Sequence, residues 1–264
     1  MDLKLTGKTA LVTGSTAGIG FGIARRLLQE GASVVINGRT KKRINSALDQ
    51  LRQAIPDCTV QGCAADFADA AAVQHLLNGH DSIDILINNG GIFAPKPFAE
   101  ITDEEWLHFF EVNVLSGVRL SRHYLPQMLK QNWGRIIFIS SESGVQIPAE
   151  MVHYGTTKTA QLGVSRGLAQ LTAGTNVTVN TVIPGSTRSE GSEKFISDLA
   201  QERGLSKEDV EREFFEKVRP TSLLERFATI DEVATFVTYL ASPLAAANNG
   251  AALRVDGGTV PTIL

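Results

Sequence analysis

Cysteine is scarce in this chain: there are two, Cys58 and Cys63. They stand in one apparent strand an odd number of residues apart, so their side chains face opposite sides and a disulfide between them is not expected. A reducing cytoplasm fits that usage. The five histidines (His75, His80, His108, His123 and His153) show no metal-ligand spacing with one another or with cysteine, so no metal site is expected. Lys and Arg form no basic stripe, and the formal net charge is -3. Nucleic acid is therefore not an expected partner, because phosphate-backbone binding needs clustered cations. The opening MDLKLTGKTALVTG lacks a long apolar run and reads as neither a signal peptide nor a membrane span. Repeats, low-complexity tracts and linkers are also missing, and 264 residues is an ordinary length for one α/β unit, so a single domain over 1–264 is expected.

What is present is a rhythm. Hydrophobic residues make up 43% against 20% charged, enough to bury a large core. Short β-branched runs at 9–13, 33–37, 59–64, 83–88, 135–140, 175–182 and 252–255 read as strands. Most are continuous apolar runs rather than alternating ones, as in a parallel sheet covered on both faces. Amphipathic stretches at 18–29, 41–54, 70–77, 103–130, 152–172 and 230–240 supply the helices. Capping boxes open two of them, Thr102 with Glu105 and Thr229 with Glu232. The expected fold is α/β: a doubly wound, mostly parallel seven-stranded sheet with helices on both faces, which binds ligands beyond the carboxyl ends of its strands. The charge-rich segment 186–220 interrupts the rhythm with two short helices, the second capped by Ser206. It reads either as an insertion covering a substrate or as a solvated surface excursion.

The first strand runs into Gly14-Ser15-Thr16-Ala17-Gly18-Ile19-Gly20 and then a helix. Glycines at 14, 18 and 20 let the backbone turn and approach a pyrophosphate, which a helix N-terminus favours. The G-x-x-x-G-x-G spacing differs from G-x-G-x-x-G. No acidic residue stands between Glu30 and Asp49, while Arg39, Lys41, Lys42 and Arg43 cluster at the end of the second strand. A carboxylate there would select a free ribose 2′-hydroxyl; a guanidinium pairs with a 2′-phosphate. The pattern favours NADP(H), with NAD(H) possible.

Tyr154 and Lys158 lie four apart at the start of a helix, hence on one face with roughly 6 Å between their Cβ atoms. A phenol ionises near pH ~10, and a neighbouring ammonium lowers that value. The pair suits proton exchange with an alcohol or carbonyl. Ser141, at a strand end, offers a hydroxyl to a substrate oxygen. On spacing alone the Tyr-x-x-x-Lys pair reads as structural, since the pattern arises by chance in many helices.

Taken together, TGSTAGIG at 13–20, NNGG at 88–91, Asn113, Ser141, YGTTK at 154–158 and Pro184-Gly185 resemble the short-chain dehydrogenase/reductase family in order and spacing, from Lys8 to Asp256-Gly257-Gly258. The resemblance implies a Rossmann fold and an oxidoreductase that moves a hydride between a nicotinamide cofactor and a small-molecule carbonyl or alcohol. It makes Tyr154 the general acid/base, Lys158 the ligand of the nicotinamide ribose that also depresses the Tyr154 pKa, and Ser141 the holder of the carbonyl oxygen. Asn113 would bend the long fourth helix and anchor a water of a proton relay. Gly14, Ser15, Thr16, Gly18, Ile19 and Gly20 would form the cofactor loop, with Asn89 supporting the nucleotide, Asp66 at the adenine edge and Pro184-Gly185 at the nicotinamide. Ser189 or Thr187 would bind the carboxamide. Gly90 departs from the family's usual alanine, and the loop carries no basic residue of its own. A catalytically silent nucleotide-binding regulator of the same fold is the alternative, although no catalytic side chain is missing.

Other residues invite plainer readings. His153 points about 100° away from Tyr154 and reads as a pocket wall or surface residue. Gly163 and Gly167, with Val164, Leu168 and Leu171, suggest a helix-packed interface between subunits, or packing against the sheet. The family resemblance implies a homotetramer or homodimer. Trp106 and Trp133 read as core or subunit contacts. Stretches 93–98, 145–152 and 186–220 would line the substrate pocket.

Overall fold

Each apolar run that reads as a strand sends neighbouring residues into two different cores, as the two-residue period of a strand requires. In β1 (Thr9–Val12), Ala10 and Val12 face one layer while Leu11 faces the other. The same division separates Val34 and Ile36 from Val35 in β2 (Ser33–Gly38), and Ile137 and Ile139 from Ile136 and Phe138 in β5 (Gly134–Ile139). The computed structural model describes residues 1–263. Its sheet has seven strands in the order β3-β2-β1-β4-β5-β6-β7, every pairing parallel. The remaining strands are β3 (Val60–Ala64), β4 (Ile85–Asn88), β6 (Val177–Pro184) and β7 (Ala252–Val255).

Three helices cover one face: α1 (Gly18–Gln29), α2 (Lys41–Ala54) and α9 (Ile230–Ala241) bring Ile23, Leu27, Leu51 and Val237 to the first core. The other face is covered by α3 (Ala70–Gly79), α5 (Ser116–Lys130) and α6 (Val152–Gln170), which supply Leu76, Leu120, Tyr124 and Ala169. The chain reverses its direction across the sheet between β1 and β4. That switch point opens a crevice beyond their carboxyl ends, where such sheets bind ligands. Both expected capping boxes form, at Thr102 and Thr229.

Three differences from the sequence reading have local causes. The helix expected over 103–130 is divided into α4 (Asp103–Phe110), a π-turn at Glu111–Leu115 and α5. The sixth strand starts at Val177 rather than 175, because the Thr175 backbone N–H and hydroxyl both bond to Thr172 O and close a turn. Cys58 lies before β3, not in one strand with Cys63, and both are free thiols. The segment 186–220 forms α7 (Glu190–Arg203), α8 (Lys207–Glu213) and a π-turn at Phe214–Val218 around its own small core of Ile196, Ala200, Val210, Phe215 and Phe227. Arg188 ties the two helices by pairing with Glu193 at 2.5 Å and Glu211 at 2.6 Å. The segment is thus packed rather than loosely solvated.

Candidate active site

The glycine loop is held from three sides. Gly14 N donates to Asn37 Oδ1 at 3.1 Å, the Ser15 hydroxyl donates to Val12 O at 2.6 Å, and Asn89 Nδ2 donates to Thr13 O at 3.0 Å and Gly14 O at 3.1 Å. A Cβ on Gly20 would stand 2.5 Å from both Asn89 Nδ2 and Gly14 O, so only glycine lets the first turn of α1 approach the loop this closely. Ser15 is fully buried and turned into the loop, Ile19 packs against the first core, and the Thr16 methyl lies against Gly38. Among the described residues no side chain caps α1: Ala17 occupies the cap position and cannot supply an acceptor. The leading N–H groups of a 12-residue helix therefore point into the crevice without a side-chain partner, which suits a diphosphate.

Gly90 has a packing reason. A Cβ there would meet the Phe67 ring at 2.9 Å, so the alanine expected at this position would collide with a buried aromatic. Arg39 is exposed at the carboxyl end of β2, beside Thr40, whose side chain caps α2. Asp66 is exposed just after β3, and its Oδ1 accepts from Ala68 N at 3.1 Å. At the end of β6, a Cβ on Gly185 would stand 2.6 Å from Asp256 O. Thr187 Oγ1 donates to Gly185 O at 3.0 Å. The Ser189 hydroxyl caps α7 by accepting from Ser192 N, and its Cβ faces Gly18 across the crevice.

Ser141, Tyr154, Lys158 and Asn113 come together beyond β4 and β5. The Ser141 hydroxyl acts on the Tyr154 phenol and favours its ionised form. Phe93 meets the phenol ring edge-on at 6.2 Å. Lys158 is buried; its Nζ lies 5.7 Å from the Tyr154 ring centroid and donates to Ile139 O at 2.9 Å. Asn113 sits inside the π-turn, the bend expected at that position, and its Nδ2 donates to Thr157 Oγ1 at 3.0 Å.

One expectation changes at this cluster. Burial pushes the Tyr154 phenol up to about 12, with the Glu142 charge adding to the rise and the Ser141 hydrogen bond and Arg219 charge opposing it. Lys158 is itself pushed down to about 8 by burial. The low dielectric disfavours both charges, so the lysine does not lower the phenol below its ordinary value here. The Asn113 backbone oxygen accepts from Gln161 Nε2 at 2.6 Å. Gln161 Oε1 in turn accepts from Lys158 Nζ at 3.5 Å, so a buried amide links the two positions.

His153 is not a surface residue: it is 2% exposed, with the Phe109 ring centroid 4.1 Å away and Trp106 at 6.1 Å. Gly163 and Gly167 face open space on α6, which removes sheet packing as their explanation. Val164 and Leu168 turn inward to the second core, whereas Leu171 is exposed.

Sequence reasoning did not pair Glu142 with Arg219. Their side chains are 7% and 13% exposed and meet at 2.9 Å, across 77 residues of sequence. They line a cavity of about 400 Å³ together with Gln146, Ile147, Glu150 and Lys217. The available signal was two opposite charges, one next to Ser141 and one in the inserted segment. Among the described residues no group of three or more His, Cys, Asp or Glu side chains converges to hold a metal, and no helix is long and apolar enough to cross a membrane.

Comparison with known proteins agrees with this geometry. The family model described as short chain dehydrogenase matches residues 8–200. An uncharacterised oxidoreductase of Bacillus subtilis (strain 168), YvaG, is 48% identical over 263 residues, covering 100% of both chains. A D-beta-hydroxybutyrate dehydrogenase of Cupriavidus necator is 34% identical, with 97% of this chain and 99% of that protein aligned. The solved structure of L-sorbose reductase from Gluconobacter frateurii, complexed with NADPH and L-sorbose, superposes with a TM-score of 0.93 at 30% identity over 100% of both chains. Family match and end-to-end relatives lead to one conclusion: the chain belongs to the short-chain dehydrogenases and is an oxidoreductase.

Proposed function

We propose that the protein is an NADP(H)-preferring oxidoreductase that interconverts a small-molecule carbonyl and its alcohol, with Tyr154 as general acid/base. The observation that carries this reading is the meeting of Tyr154, Ser141 and Lys158 beyond the carboxyl ends of β4 and β5, next to the uncapped start of α1. The uncapped α1 N–H groups would receive the diphosphate. Arg39 would pair with a 2′-phosphate, as the absence of acidic residues between Glu30 and Asp49 favours. Binding of NADPH by L-sorbose reductase supports the same preference. Asp66 would border the adenine, and Pro184, Gly185, Thr187 and Ser189 the nicotinamide end.

The nicotinamide, when bound, supplies the hydride. Tyr154 gives its proton to the carbonyl oxygen in the reducing direction and takes it back in the oxidising one. A phenol raised to about 12 is fully protonated at neutral pH and therefore loaded as an acid for reduction. Ser141 holds the same oxygen, Lys158 holds the cofactor ribose, and Asn113 keeps the chain after β4 against α6. The segment 186–220 covers the substrate, through the cavity it shares with Gln146 and Glu150. Exposed Gly163 and Gly167 on α6 and Leu171 at its end support a homotetramer or homodimer, and two free thiols support a cytoplasmic setting.

The experiment is an NADPH-oxidation assay over a panel of ketoses and 3-oxo acid derivatives, chemistry suggested by the sorbose and hydroxybutyrate enzymes among the relatives. Tyr154→Phe should lose turnover by about 10²- to 10⁴-fold while still binding NADPH. Near-normal turnover in that variant would refute the mechanism.

A further inference from the structure

Glu142 follows Ser141 directly and is nearly buried, and its carboxylate is saturated. Oε2 accepts from Ser141 Oγ at 2.6 Å, from Ser143 N at 2.6 Å and from Ser143 Oγ at 3.0 Å. Oε1 accepts from Arg219 Nε at 2.9 Å. Arg219 ends the π-turn at Phe214–Val218; its backbone N–H bonds to Phe214 O at 2.9 Å and its guanidinium lies 5.8 Å from the Phe214 ring centroid. A buried ion pair is weak evidence for stability, because desolvation consumes most of the attraction and apolar replacements often do as well. The pair therefore calls for a reason beyond holding the segment down.

That reason lies in the single proton of the Ser141 hydroxyl. A serine hydroxyl has one O–H to donate and two lone pairs to accept with. Here the proton is directed to Glu142 at 2.6 Å, and the oxygen accepts from Ser143 N at 3.1 Å, so the hydroxyl is held from both sides. We propose that Glu142 and Arg219 are positioning residues for proton transfer: Glu142 holds the Ser141 hydroxyl in place beside Tyr154, and Arg219 neutralises Glu142 from the segment after β6. The inference rests on Tyr154 being the acid of the reaction. It also means that docking of 186–220 and the protonation of Tyr154 are linked through one ion pair.

The charged groups around the phenol are few. Lys158 comes from its own helix, Glu142 from the turn after β5 and Arg219 from the inserted segment. Glu150 and Lys217 stand on the wall of the adjoining cavity, and Lys96 and Glu105 act on the neighbouring His153. Glu142 disfavours a phenolate and Arg219 favours one, so deleting either charge should move Tyr154 in opposite directions.

The test needs no substrate. Ultraviolet difference absorbance is read through pH ~11–12, the range of the raised phenol, for each protein against the same protein carrying Tyr154→Phe. Circular dichroism checks that each is folded. Glu142→Gln should raise the phenolate signal, through a gain on the order of tenfold in the phenol's ionisation constant. Arg219→Gln should lower it, the double variant should return towards wild type, and Arg219→Lys should stay near it. The alkaline limb of the kcat profile should move the same way. Equal or same-direction changes in both single variants would overturn the proposal and leave the pair structural. If Arg219→Gln does not fold, an unchanged signal in Glu142→Gln alone overturns it. Should Tyr154→Phe remain active while the opposite shifts persist, the assignment of the acid fails and the electrostatic coupling stands.

Discussion

Asn113 and Ile92 exchange a pair of hydrogen bonds: Ile92 N donates to Asn113 Oδ1 at 2.8 Å, and Asn113 Nδ2 donates to Ile92 O at 3.0 Å. The amide thus imitates a strand neighbour and fixes the chain that leaves β4 for the site. Its Nδ2 also reaches Thr157 on α6, between Tyr154 and Lys158. Asn113→Leu would orphan both Ile92 groups at 1% exposure of the replaced residue. Each unsatisfied group costs about 1–3 kcal/mol, so chemical denaturation should report a loss of at least about 2 kcal/mol. A stability unchanged within about 0.5 kcal/mol would contradict this role.

Arg39→Asp should weaken NADPH binding by roughly 10- to 100-fold, the worth of one or two charge-assisted hydrogen bonds. NADH binding should hold or improve, since a carboxylate suits an unphosphorylated ribose. Calorimetric titration with both cofactors reads the difference. Equal weakening of both would remove Arg39 from phosphate recognition.

Gly90→Ala should cost about 1–3 kcal/mol, because its Cβ would meet Phe67 Cε2 at 2.9 Å and Cδ2 at 3.2 Å. Adding Phe67→Leu should recover part of that loss if the collision is its cause. Thermal unfolding of the single and double variants decides between this and a backbone effect.

Lys158 gives a pH dependence with a definite sign. Its folded-state value, about 8, lies below the ordinary 10.5. Between those values the unfolded chain binds the extra proton, so the free energy of unfolding rises with pH through that window. The penalty for burying the ammonium is fully present below pH about 8 and relieved as pH approaches about 10.5. Wild type should therefore gain stability relative to Lys158→Met across this range, by on the order of 2–3 kcal/mol. Parallel denaturation curves at all pH values would show that the lysine is not perturbed.

Much of this architecture could be read from local pattern. Continuous apolar runs between amphipathic stretches gave the seven strands and their order in the chain, and the loop from Gly14 to Gly20 stood out by residue type and spacing, whereas Ser141, Tyr154 and Lys158 stood out through the family resemblance. The parts that escaped depend on contacts remote in sequence. The π-turn around Asn113 looks like ordinary helix until Ile92 and Thr157 are in place. Gly90 reads as a loosened turn until Phe67 packs over it. Glu142 and Arg219, 77 residues apart, carry no spacing that announces a pair. The direction in which Tyr154 is perturbed also depends on burial, which its spacing from Lys158 does not reveal.

The central claim is hydride transfer with Tyr154 as the proton donor, and a deuterium-transfer experiment meets it most directly. Wild type and Tyr154→Phe would each be incubated with NADPH deuterated at the transferable position and a ketone that wild type reduces, and the product alcohol analysed by mass spectrometry. The account predicts deuterium on the carbinol carbon with wild type, and formation slowed by about 10²- to 10⁴-fold in the variant at saturating cofactor. Deuterated alcohol at equal rates from both proteins, or none from wild type with any carbonyl compound tried, would contradict it.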